Sequence, residues 1–140
     1  MTDRRTRARE IAMQSLYQLD VQGPDFLDHM NRFIKDESDD GMVSEMATQW
    51  TRGTWENMVE CDRLIKTAAT KWDLIRLSSV DRSILRLGTY QLRFCEDIPG
   101  KVVINEAIEM AKKYSGAQSP GFVNGVLDAI LKTITKEDKI

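Results

Sequence analysis

The sequence predicts an all-α protein of about seven helices. Three observations carry this reading: apolar residues recur three and four apart along most of the chain, strand-like alternation is weak, and glycine and proline punctuate the chain sparsely, at 8 and 3 of 140 residues. Apolar residues make up 41% and charged residues 30%, the composition of a folded chain rather than a disordered one. A chain near this length buries roughly 70% of its unfolded surface, enough for a core within one domain spanning 1–140.

The first predicted helix runs over 4–20. On a helical wheel Ala8, Ala12, Ser15, Leu16 and Leu19 share one face, with Ile11 at its edge, so this side points to the core. Tyr17 falls roughly 165° from the middle of that stripe, a position for an exposed aromatic or one covered by a partner. Gly23-Pro24 ends this helix, and a second is predicted over 24–35. The acidic run from Asp36 to Asp40 reads as a solvated loop.

Helices follow over 41–57 and 58–71, or as one bent helix, and then over 79–95. In the last of these Val80, Ile84, Leu85, Leu87, Leu92 and Phe94 occupy more than one face, the pattern of a central element. Asp97-Ile98-Pro99-Gly100 stops it, and a sixth helix over 101–115 runs to the Gly116 to Pro120 turn. The seventh covers 120–135: Ser119 is placed to cap, Pro120 suits the first helical position, and Val123, Val126, Leu127, Ile130, Leu131 and Ile134 form one stripe.

Several classes of function find no support. No apolar run approaches the roughly 18 to 20 residues of a membrane span, and the N-terminus lacks the apolar stretch of a signal peptide, so the protein is expected in the cytoplasm. Cys61 and Cys95 have neither CxxC spacing nor a clustered partner and read as small hydrophobes. The one histidine, His29, sits between Asp28 and Met30 with no second imidazole or thiol at ligand spacing, so metal binding there is not expected. Nucleophile elbows, phosphate-binding glycine loops and HExxH are all missing, which argues for binding rather than catalysis, with no cofactor or metal expected.

Binding chemistry concentrates at the two ends. The opening "MTDRRTRARE" sets Arg4, Arg5, Arg7 and Arg9 within six residues, although the net charge is −2. Guanidinium groups fork onto phosphate oxygens and also stack on exposed bases, so the cluster is either a phosphate-binding segment or a solvated helix start. Phe122 sits in the first turn of the last helix, roughly 110° from its stripe, and either stacks a base beside free backbone N–H groups or packs as a staple. Glu109 and Lys113 are spaced for an i,i+4 pair, and a buried Glu106 would need a cation such as Arg82 or Arg86.

The segment "DRSILRLGTYQLRFCEDIPGKVVINEAIEMAKKYSGAQSPGFVNGVLDAI", with "RARE" and "LYQLD" near the N-terminus, closely resembles the NusB family. The resemblance implies seven helices in two packed bundles and a transcription antitermination factor that binds boxA single-stranded leader RNA. It also implies two partners, ribosomal protein NusE and an RNA polymerase complex with other Nus factors that supports rRNA transcription. Position by position, the N-terminal arginines match the family's basic RNA-binding segment and Phe122 an aromatic beside the RNA, while Tyr17 and Asp81 match positions facing NusE. Asp81 also lies three residues after Ser78 and is spaced to complete an aspartate capping box. The loop "GAQSPG" carries less charge than family members often show.

Two alternatives accompany the leading reading. One is a protein-only helical adaptor whose arginines are merely solvated. The other is a stand-alone relative of the N-terminal domain of rRNA cytosine methyltransferases, since 140 residues leave no room for a methyl-donor domain. If four arginines neutralise about four phosphates, log affinity should fall against log salt with a slope near −3.

Overall fold

The computed structural model describes residues 3–71 and 74–138. Among them the chain forms seven α-helices and two short 3-10 turns, and no strand. Helix α1 (Arg4–Gln22) starts where the Asp3 carboxylate accepts the Arg5 N–H, and stops at Gly23, whose φ of 85° suits glycine. The predicted second helix is divided: Pro24–Asp28 winds as a 3-10 turn and α2 (Met30–Glu37) follows exposed His29. Helix α3 (Gly41–Glu56) is capped by Asp40, which accepts the Met42 N–H at 3.0 Å. Asn57 then breaks the chain before α4 (Met58–Ala68), which ends three residues short of its predicted limit.

After the second 3-10 turn, Leu74–Arg76, come α5 (Ser79–Phe94), α6 (Gly100–Tyr114) and α7 (Ser119–Asp138). Helices α1 to α3 pack together, α4 to α7 form a second bundle, and α5 joins the two by packing on α1, α3, α4, α6 and α7. The central position expected of α5 is therefore the observed one: Ile84, Leu85 and Leu87 are fully buried, each worth roughly 1.5 to 3 kcal/mol of transfer free energy. Gly53 of α3 permits one close approach, because a Cβ there would overlap the Tyr90 hydroxyl of α5.

Ion pairs fix the junction between the bundles. Asp20 of α1 accepts Arg82 at 2.6 Å and Arg86 at 3.2 Å, and Arg86 also forks onto Asp62 of α4. Partial burial disfavours the Asp20 carboxylate, but hydrogen bonds from Arg82 and Ser79 and the charge of both arginines hold it below the usual carboxylate range. Arg82 and Arg86 are thus committed to Asp20 and Asp62; the cation beside Glu106 comes from elsewhere.

Candidate functional site

The four N-terminal arginines share a helix but have different environments. At 100° per residue Arg5 and Arg9 share one side of the helix, one turn apart, while Arg4 and Arg7 lie together on another, so one basic cluster in sequence becomes two surfaces in space. Arg5 is exposed, and apart from the capping bond of its backbone N–H to Asp3 its guanidinium makes no hydrogen bond or ion pair among the described residues. Arg4 lies 2.7 Å from Asp40, with 60% of its side chain exposed, and Arg7 reaches the carboxylate and the backbone carbonyl of Glu37. The acidic run is accordingly more than a solvated loop, since it caps α3 and holds two arginines. Surface pairs of this kind contribute about 0 to 1 kcal/mol, so a phosphate can displace them; Arg7, half-buried, is held in addition by buried Glu10 at 3.4 Å.

Arg9 departs from the expectation of a surface contact. It is 2% exposed, its Nε donates to Gln91 at 3.3 Å, its Nη1 lies 3.5 Å from Glu106, and its guanidinium covers the Trp50 ring at 5.1 Å from the centroid. Burial pulls its pKa down, and Glu106 is the opposing influence. In this structure Arg9 is an internal strut, and it supplies the cation for Glu106. Its neighbour Glu10 is also buried and receives Lys113 of α6 at 2.7 Å, which replaces the expected Glu109–Lys113 pair; Glu109 pairs with Lys112 instead.

Arg5, Arg9, Trp50 and Glu106 line a cavity of about 530 Å³ between the start of α1, α3 and the α5–α6 turn, with Asp97 and Val102 at its edge. Trp50 and Gln49 belong to the middle of the chain, where nothing in the sequence singled out a binding residue. The Glu106 carboxylate is fixed through one oxygen, which accepts the Thr6 hydroxyl at 2.7 Å and faces Arg9.

At the other end of the bundle, Asp81 and Phe122 meet. They line one cavity of about 220 Å³ together with Leu77, Gln118 and Ser119. Ser78 caps α5 by accepting the Asp81 N–H at 3.1 Å, which is half of the expected capping box. The other half does not form, because the Asp81 carboxylate accepts the hydroxyls of Ser115 at 2.7 Å and Ser119 at 3.0 Å. Ser119 consequently spends its hydroxyl on Asp81 rather than on capping α7, which begins at Ser119 itself. Phe122 is half-buried, packs against the core and is one of the residues lining the cavity.

Tyr17 is 36% exposed on α1. It precedes Asp20 by one turn, and the Asp20–Arg82 pair docks this part of α1 on the start of α5 next to Asp81. Gln14 donates to the Tyr114 hydroxyl at 3.5 Å, which ties α1 to the end of α6 beside Ser115. Tyr17 and Asp81 therefore stand on adjacent helices at one end of the junction. The exposed arginines lie at the far end of α1, about 18 Å away along its axis at 1.5 Å per residue. Of the cysteines, Cys61 is buried, and desolvation with nearby Asp62 pushes its thiol up to about 12. No group of three possible metal ligands occurs among the described residues.

The NusB family model matches residues 6–132. Transcription antitermination protein NusB of Clostridium perfringens (strain SM101 / Type A) is 42% identical over 132 residues, spanning 93% of this chain and 98% of that protein. The NusB of Anaeromyxobacter dehalogenans (strain 2CP-1 / ATCC BAA-258) is 46% identical over 131 residues, spanning 93% and 92%. Among solved structures, T. maritima NusB superposes with a TM-score of 0.82 at 38% identity, covering 99% of both chains. A crystal structure of antitermination factors NusB and NusE in complex with dsRNA gives a TM-score of 0.85 at 28% identity, covering 95% of this chain and 99% of that one.

Proposed function

The chain belongs to the NusB family, and from that premise we propose that it is an RNA-binding transcription antitermination factor. In this reading it binds boxA-type leader RNA together with ribosomal protein NusE and supports rRNA transcription within an RNA polymerase complex that includes other Nus factors. It works by binding, without a reaction or cofactor of its own. Such a factor would act in the cytoplasm; among the described residues no helix is long and apolar enough to cross a membrane.

The observation that carries the reading is the likeness, over 95% of this chain, to a NusB solved with NusE and RNA. The chain's own residues supply the chemistry. Arg5, with Arg4 and Arg7 released from their surface acids, would neutralise phosphates. The accessible part of Phe122 would stack an unpaired base. Tyr17 and Asp81, on adjacent helices, would receive NusE, and the Asp81 carboxylate suits a cationic side chain there. With Arg9 internal, about three phosphates remain within reach, so the expected salt slope eases from near −3 to about −2.

The RNA in that relative's complex is a duplex, whereas stacking on Phe122 requires an unstacked base. A titration therefore needs three RNAs: a fluorescent boxA-like single strand, a scrambled strand of equal length, and a duplex. Tighter binding of the boxA-like strand when NusE is added supports the proposal. Preference for the duplex would replace base stacking with backbone recognition, and indifference to RNA with NusE still bound would favour the protein-only adaptor.

A further inference from the structure

The cavity beside the N-terminal arginines is not explained by phosphate contacts. Its lining brings three carboxylates, from Asp3, Asp97 and Glu106, against two guanidiniums, from Arg5 and Arg9. That balance disfavours an anion inside it. Arg9 is buried, with Nε and Nη1 engaged and Nη2 unpartnered among the described residues, so the solvent-accessible cation at this cavity is Arg5, an exposed residue. At about 530 Å³ the cavity falls within the size range of small-ligand pockets.

Its chemistry is that of a site for a flat, amine-bearing ring. Trp50 is half-buried with Arg9 covering one face, so the indole is held in place instead of swinging free. Glu106 is anchored through Oε1 by Thr6 and Arg9, which leaves Oε2 without a partner among the described residues and able to accept an N–H. Gln49 adds an amide at the edge. A carboxylate of this kind accepts from an exocyclic amine, as a protein carboxylate does from the amine of cytosine.

We infer that this cavity receives one unstacked base of the bound RNA, a base carrying an exocyclic amine. Trp50 is its stacking wall, Glu106 its hydrogen-bond acceptor, and Arg5 the contact to the adjoining phosphate. The inference rests on the RNA-binding reading and deepens it, adding a second base-reading point at the opposite end of α1 from Tyr17. It also gives the middle of the chain a part in specificity.

The test is an abasic scan. Each base of the RNA is removed in turn, and affinity is measured with NusE present for the parent protein, Trp50→Leu and Trp50→Phe. One position should cost about tenfold in the parent, the scale of one lost aromatic stack, and that penalty should vanish in Trp50→Leu and return in part in Trp50→Phe. Uracil at that position should bind less well than adenine or cytosine to the parent, and the difference should shrink in Glu106→Gln. As a readout independent of any variant, 2-aminopurine at the same position should lose fluorescence on binding the parent. Identical penalties in parent and Trp50→Leu, or an unquenched 2-aminopurine at every position, would overturn the pocket while the RNA-binding reading stands. Failure of the parent to bind any of the RNAs would overturn that reading itself.

Discussion

Replacing Arg9 with alanine should unfold the protein more readily while Arg5→Ala should not, although both lie in the same basic cluster. Arg9→Ala removes the ion pair to Glu106, the hydrogen bond to Gln91 and the guanidinium over Trp50. Taking one partner from a buried pair costs about 3 to 5 kcal/mol. The Glu106 side chain keeps 21% exposure, so water eases its loss and about 3 kcal/mol is the better figure. For a chain of this size that lowers the melting temperature by roughly 10 °C. The Arg5 side chain pairs with no acid among the described residues, so Arg5→Ala should change stability by less than about 0.5 kcal/mol and instead weaken RNA binding and flatten its salt dependence. Circular dichroism melts of the two variants, paired with RNA titrations well below both transitions, separate the roles. An Arg9→Ala protein that melts like its parent yet loses RNA affinity would refute the internal role and return Arg9 to the binding surface.

Phe122→Ala should weaken RNA binding by about 1 to 3 kcal/mol in a fluorescence titration with little change in melting temperature; unchanged affinity would mean that its ring only packs. Asp20 titrates below its ordinary value when folded, so as pH falls the unfolded chain takes up that proton first. Its stabilising share is present above about pH 4 and is lost as pH falls through the folded pKa, and urea melts across pH 3 to 7 should show a shallower acid dependence for Asp20→Asn. Gly53→Ala should cost about 1 to 3 kcal/mol by driving a methyl group into Tyr90, and Gly53→Ala with Tyr90→Phe should recover part of it in the same melts. Cys61 should resist maleimide at pH 8 in the folded protein and react on unfolding, because burial keeps its thiol protonated.

Much of the architecture was legible because helix formation and burial leave periodic traces. Of the predicted α7 stripe Val123, Val126, Leu127, Ile130 and Ile134 are buried and Leu131 is partly buried, and the multi-faced α5 is the central helix. The wheel also placed Tyr17 outside the core. It could not find Arg9 and Glu10, since a wheel sorts residues by type and treats every charge as outward, whereas these two are buried by partners brought from α5 and α6. The break at His29, between a 3-10 turn and α2, has no proline or glycine of its own to announce it.

The candidate site was legible as a set of residues and not as a shape. Asp81 and Phe122 lie 41 positions apart in sequence, and only the packing of α7 against α5 makes them walls of one cavity. The Ser115 and Ser119 hydroxyls that fix Asp81 stand at the two ends of the α6–α7 turn, whose low charge gave no sign of that role. Trp50 carries the same limitation further. A tryptophan within an amphipathic helix reads as core, and its place on a cavity wall depends on Arg9 and Glu106 from two other helices.

The most direct measurement of the central claim is transcription itself. RNA polymerase reading a template with a boxA leader ahead of a terminator, supplied with NusE and the other Nus factors, should show more read-through when this protein is added, and the gain should vanish on scrambling boxA. Read-through that is unchanged by the protein, or equally raised on the scrambled template, would contradict the account.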